Sequence, residues 1–167
     1  MHNCQYTFAE LSREVMPRLM VTLRKKLKHP LPLVRFCTTG KGLKTLLREF
    51  SNGEDFSGCY IFVERGRPFY VGISKAIIRR IRSHVTARNH NGSSLVYAMA
   101  NRSSKIAHYR KTTGAKRYQK PFFAALKKLR TCNVAFIRVD NPLVLYIFEA
   151  YAALHFDTQE WNSFVTH

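Results

Sequence analysis

Gly58-Cys59-Tyr60-Ile61-Phe62-Val63 and Phe69-Tyr70-Val71-Gly72, joined through Arg65-Gly66-Arg67-Pro68, are the stretch on which the fold of this chain turns. Both halves are rich in β-branched and aromatic residues and are separated by a glycine-proline turn, the pattern of a β-hairpin. If Val63 pairs with Phe69, Phe62 lies opposite Tyr70 and Tyr60 opposite Gly72. Both tyrosines then share one face of the sheet, because side chains alternate with a period of two. The glycine leaves room above Tyr60. Taken singly, a strand tyrosine is most often core filler, so the pair gains meaning only from what surrounds it.

Directly downstream, Ser74 can cap a helix over Lys75 to Arg88 that ends in the polar turn Asn89 to Gly92. At 100° per residue, Ile77, Ile78, Ile81 and Val85 form one apolar stripe, while Arg79, Arg82 and Ser83 face away as solvated residues. Arg80 and His84 do neither. They lie four residues apart on one edge of the stripe, where a side chain can reach a cleft beside the core. Further on, a short helix over Ser94 to Ala100, a polar stretch from Asn101 to Ala115, a helix over Pro121 to Arg130 and a strand over Asn133 to Val139 are expected. Asn141-Pro142 starts a last helix.

Upstream of the hairpin, Thr7 and Glu10 have capping-box spacing, so a helix begins near Phe8, is interrupted or restarted at Pro17, and runs to about Lys28. His29-Pro30-Leu31-Pro32 stops it, Gly40 and Gly42 make a turn, and a short helix spans Leu43 to Phe50 before the break at Ser51-Asn52-Gly53. Gly40-Lys41 is not a phosphate loop, because the upstream glycine position is Arg35.

The chain has 167 residues, 46% of them hydrophobic, enough for one core and not two. Its 28 Lys and Arg against 10 Asp and Glu leave a net charge of +18, a self-repulsion that a polyanion on the surface would relieve. Nucleic acid fits best. A solvated cationic face, a protein held within RNA, or a lipid-binding helix built from Leu19, Leu23 and Leu27 beside Arg24, Lys25, Lys26 and Lys28 are the alternatives. Charge spread along the whole chain suits a duplex. Cys4, Cys37, Cys59 and Cys132 lack the paired short spacing of zinc or redox motifs, and Cys59 and Cys132 read as small hydrophobes. With neither a signal-peptide pattern at Met1-His2-Asn3-Cys4 nor an apolar run of membrane length, a soluble, cytoplasmic protein is expected.

The last helix supplies the sharpest chemical clue. Leu143 to Leu154 holds eleven hydrophobic-class residues and one charge, Glu149. A helix apolar all round reads as buried, and a buried carboxylate takes up a proton, pairs with a cation or binds a metal. A structural ion pair is the ordinary explanation. Two phenols, a guanidinium, an imidazole and a carboxylate brought together would instead make a phosphoryl-transfer site.

Gly58-Cys59-Tyr60, Tyr70-Val71-Gly72, Arg80, His84, Glu149 and Asn162 resemble, in order and spacing, the GIY-YIG nuclease family. The two tyrosines are ten residues apart, Arg80 follows after ten more and His84 after four, with a glutamate on a late helix and then an asparagine. The resemblance covers roughly residues 58–167. It departs from the family at Cys59 and Val71, which replace isoleucines, and at Ile73, where some members carry lysine; Lys75 is left outside the catalytic set.

The resemblance implies metal-dependent hydrolysis of DNA phosphodiesters, leaving 5′-phosphate and 3′-hydroxyl ends. Glu149 would hold one Mg²⁺ or Mn²⁺ ion, Arg80 would steady charge on the phosphate, Tyr60 would activate water with help from Tyr70 and His84, and Asn162 would fix the outer wall. The expected fold class is α/β (α+β), with a small antiparallel three-stranded sheet flanked by helices. A basic helical extension, residues 1–57, would precede a nuclease-like domain, residues 58–167, and would either grip flanking DNA or extend the core. Lys75, Arg79, Arg82 and Arg88 are candidate DNA contacts. A monomer or weak dimer is expected, a dimer being needed for concerted double-strand cleavage. An inactive nucleic-acid-binding module of the same fold, or a basic RNA-associated protein, is the alternative function.

Overall fold

A computed structural model of the chain describes residues 4–89, 92–104, 116–162 and 164. Most of the polar stretch expected after Asn101, residues 105–115, lies outside them, as do the first three residues and Ser163. The order of elements is α1 (Phe8–Glu10), a π-helical turn (Leu11–Val15), α2 (Met16–Leu27), β1 (Leu31–Pro32), a 3₁₀ turn (Leu33–Phe36), α3 (Leu43–Ser51), β2 (Gly58–Glu64), β3 (Arg67–Ser74), α4 (Ile77–Thr86), α5 (Ser94–Ser104), α6 (Lys116–Arg130), β4 (Asn133–Arg138) and α7 (Pro142–His155).

The sheet is antiparallel with four strands in the order β1-β4-β2-β3, one more than expected. The extra strand has only two residues, Leu31 opposite Val134 and Pro32 opposite Asn133. Proline cannot donate to a ladder, so Pro32 is tolerated there because β1 is an edge. That same proline makes the segment read as a stop. In the hairpin, Tyr60 lies opposite Gly72 and Phe62 opposite Tyr70, as the alternation requires. Beyond them the register slips: Val63 faces Pro68 instead of Phe69, leaving Phe69 as the extra residue of a bulge. Arg65 and Gly66 turn the chain with φ of 49° and 80°, the left-handed conformation that a two-residue hairpin turn demands.

Alternation along β2 divides the core in two. Cys59 and Ile61 point to one face with Ala135, Ile137 and Val71, where α2 (Met16, Met20, Leu23) and α7 (Val144, Leu145, Phe148) cover them. Tyr60 and Phe62 point to the other face, against Ile77, Ile78, Ile81 and Val85 of α4 and against side chains of the 3₁₀ turn, α3, α5 and α6. The N-terminal helices therefore extend the core on both faces, while Arg24, Lys25, Lys26 and Lys28 stay exposed.

Several local expectations hold. Thr7 and Glu10 form the capping box, Asn141 Oδ1 accepts from the N–H groups of Leu143 and Val144, and Cys59 and Cys132 are buried free thiols. Pro121 lies inside α6 rather than at its start. Helix α4 is capped differently from expectation. Ser74 bonds only to Ala76, and the cap comes from Asp55, which accepts from Ile78 N at 2.9 Å through Oδ1 and from Arg79 N at 3.0 Å through Oδ2. A carboxylate on the orphan N–H groups also meets the positive end of the helix dipole. Asp55→Ala is expected to cost about 1–2 kcal/mol of stability, the usual loss for a removed cap, as measured by urea denaturation.

Candidate active site

Helix α4 carries two of the expected site residues onto the Tyr60 face of the sheet. His84 is fully buried on the core side of the helix and shares a 2.7 Å hydrogen bond between Nε2 and Tyr60 Oη. Its other nitrogen, Nδ1, lies 2.7 Å from Ser93 Oγ. Tyr60 is itself only 1% exposed and its ring packs near those of Phe62, Tyr70 and His84. Gly72 is what admits the phenol: an added Cβ there would collide with Tyr60 Cζ and Oη. Gly58 answers a different demand, since a Cβ would run into the carbonyl of Ile137 on the neighbouring strand.

Because β3 is an edge strand, side chains from the two faces of the sheet can meet around it. Tyr70 on that strand and Glu149 on α7 do so, lining a cavity of about 300 Å³ with Ser94, Leu95, Ala98, Trp161, Asn162 and Phe164. Tyr70, rather than the deeper Tyr60, is the phenol that borders this space. On its other side Glu149 lines a second cavity, of about 180 Å³, with Ser57, Ile73, Ser74 and Lys75. Asn162 closes the strand edge. Its Oδ1 accepts from Val71 N at 2.9 Å and its Nδ2 donates to Val71 O at 2.6 Å, so the side-chain amide takes the place of a neighbouring strand.

Glu149 is half-buried, not enclosed. The apolar character of its helix overstates burial, because Tyr146 and Leu154 turn outward and are 64% and 67% exposed. Among the described residues no cation forms a salt bridge with Glu149 and no carboxylate forms one with Arg80. The ion pair that would ordinarily explain a partly buried glutamate is thus missing there.

The electrostatics favour neutral forms throughout. Burial raises the carboxyl pKa of Glu149. Burial also raises the phenols of Tyr60 and Tyr70, against which the Arg80 guanidinium pulls both down, while the Glu149 charge opposes ionisation of Tyr70. His84 is pushed down to about 3, by loss of water first and by the positive charge of Arg80 second. Its imidazole is therefore neutral at ordinary pH. Arg80 acts on both phenols and the imidazole, and Glu149 acts on Tyr70, so the five residues form one electrostatic group.

The expected DNA contacts are less uniform. Lys75, Arg79 and Arg88 are exposed, with Lys75 and Arg88 outside the helix proper. Arg82 is only partly exposed, and its Nε is buried with no hydrogen-bond partner among the described residues, so it packs where a solvated arginine was expected. Ser83 likewise turns in, donating to Gly92 O at 2.8 Å. Asp55 and Ser93 were not legible as site residues. Asp55 acts across 23 residues of sequence, whereas Ser93 carried a signal, because a helix starting at Ser94 needs a cap at the position before it.

Comparison of the chain with protein-family models, with curated proteins and with solved structures found no match. Among the described residues no helix is long and apolar enough to cross a membrane.

Proposed function

We propose that this chain is a divalent-metal-dependent endonuclease of the GIY-YIG type that hydrolyses DNA phosphodiester bonds. The observation that carries the reading is Glu149: a half-buried carboxylate on a cavity shared with a motif tyrosine and, among the described residues, without a neutralising cation. A protein that only bound nucleic acid would have no use for such a group. The net charge of +18 supports a polyanionic partner.

The donor set fits a hard cation. Glu149 offers carboxylate oxygen, and no cluster of three His, Cys, Asp or Glu stands among the described residues, so water would supply most of the remaining ligands, which suits magnesium or manganese. When bound, the ion supplies positive charge to the phosphate under attack. Arg80, free of an acidic partner among the described residues, offers its planar guanidinium to the same phosphate, where negative charge grows in the transition state. Tyr70 borders the cavity and orients the attacking water. Tyr60, in the ionised form that the Arg80 guanidinium favours, would take up the proton of that water by way of Tyr70 and return to the neutral phenol, with His84 hydrogen-bonded behind it. Asn162 holds Val71, and through it Tyr70, in place. Lys75, Arg79 and Arg88 contact the flanking phosphates.

Supercoiled plasmid is expected to be nicked or linearised by the pure protein in magnesium and to stay intact when a chelator is added. Gel electrophoresis of the products checks this. No cutting in magnesium or manganese, or equal cutting in chelator, would refute the proposal.

A further inference from the structure

We propose that Ser93 is a positioning residue that holds His84 in its Nε2–H tautomer, so that the imidazole aims an N–H at the phenol oxygen of Tyr60. Hydrogen-bond supply around Ser93 requires it. Ser93 is fully buried, and its Oγ accepts from Val96 N at 3.1 Å as the cap of α5. That leaves the hydroxyl proton to be placed. Among the described residues the one acceptor within reach of Oγ is His84 Nδ1, at 2.7 Å. If Nδ1 carried the proton instead, Oγ would accept twice and its own O–H would be left without a partner in the core.

With Ser93 donating to Nδ1, every polar atom of the relay is used, and the ring proton must sit on Nε2, facing Tyr60 Oη. Burial keeps the ring neutral, so a single tautomer is the relevant choice. Tyr60 Oη then accepts from the imidazole, and its own proton is directed away from the ring. An N–H and the nearby Arg80 both favour negative charge developing on that oxygen. This catalytic consequence rests on the nuclease reading; the tautomer itself does not.

The test is a long-range ¹H–¹⁵N correlation spectrum of the imidazole rings in the full, metal-free chain near neutral pH. The chain has seven histidines, and the signal lost in His84→Gln assigns the ring. The wild type is expected to show protonated Nε2 and bare Nδ1, by roughly tenfold or more over the other form, given the penalty for a stranded buried hydroxyl. Ser93→Thr should keep that pattern and Ser93→Ala should lose it. A protonated Nδ1 in the wild type, or an unchanged tautomer in Ser93→Ala, would overturn the assignment. In plasmid cleavage, Ser93→Ala is expected to lower kcat about 10- to 100-fold at constant KM, with Ser93→Thr restoring it, as for loss of an aligned proton-transfer group. A wild type that cuts no DNA would overturn the nuclease reading, while the spectrum still decides the tautomer.

Discussion

Arg80→Ala and Glu149→Gln are each expected to slow plasmid cleavage by about 10³-fold or more while changing DNA affinity only a few-fold. Removing one preorganised donor from a developing oxyanion typically costs about 10²–10³ in kcat, and Arg80 is asked to do this beside two phenols whose ionisation it also promotes. Arg80→Lys should not rescue it, since an ammonium cannot reproduce the planar fork. Glu149→Gln keeps the shape of the side chain and removes the charge. Folding is expected to survive. Burial raises the Glu149 carboxyl above 4.5, so the folded chain holds that proton more tightly than the unfolded one. Stability is then lost as pH rises through that window, and at neutral pH the ionised carboxylate is a net cost. The metal-free Glu149→Gln protein should be at least as stable as the wild type in thermal denaturation. Cleavage near wild-type rate in either variant, after matched purification, would remove these residues from the chemistry.

The second large effect is acid lability centred on His84. In the unfolded chain this imidazole titrates near 6.5, and in the core it is pushed down to about 3. The unfolded state therefore binds the extra proton across that interval, so this contribution is fully present above pH 6.5 and is lost as pH falls toward 3. At 1.36 kcal/mol per pH unit the loss is on the order of 5 kcal/mol, a large part of a small domain's stability. Denaturant titrations at a series of pH values should show the slope, and His84→Gln should flatten it relative to wild type. Parallel pH curves for the two proteins would mean that the imidazole is not buried neutral against Tyr60 and Ser93.

The parts of this molecule that are local in sequence were legible, and those built from distant pieces were not. Period-two alternation was enough to set Tyr60 opposite Gly72 and Phe62 opposite Tyr70, because one-residue slippage would invert two buried faces. The capping box at Thr7 and the asparagine cap at Asn141 follow from side chains reaching three residues or fewer. The bulge at Phe69 did not show, since an extra residue in a hairpin leaves the apolar pattern on either side intact. Strand β1 was hidden by Pro32 and by Pro30 just before it. Glu149 was read as sealed because its helix is apolar in composition; helix α7 lies over the sheet with one side, Tyr146 and Leu154, left outside. Placing Glu149 beside Tyr70 required knowing that β3 is an edge, a property of the whole topology. The same holds for Asp55, which caps α4 from the far side of the hairpin.

Glu149 is proposed to carry a divalent ion at the cavity it shares with Tyr70. Titration of Mn²⁺ into the metal-free protein, followed by the loss of the free-ion paramagnetic resonance signal, reads this directly without any cleavage. The expected result is one bound ion per chain, abolished in Glu149→Gln and retained in Arg80→Ala. Binding of equal strength in Glu149→Gln, or no binding by the wild type, would contradict it.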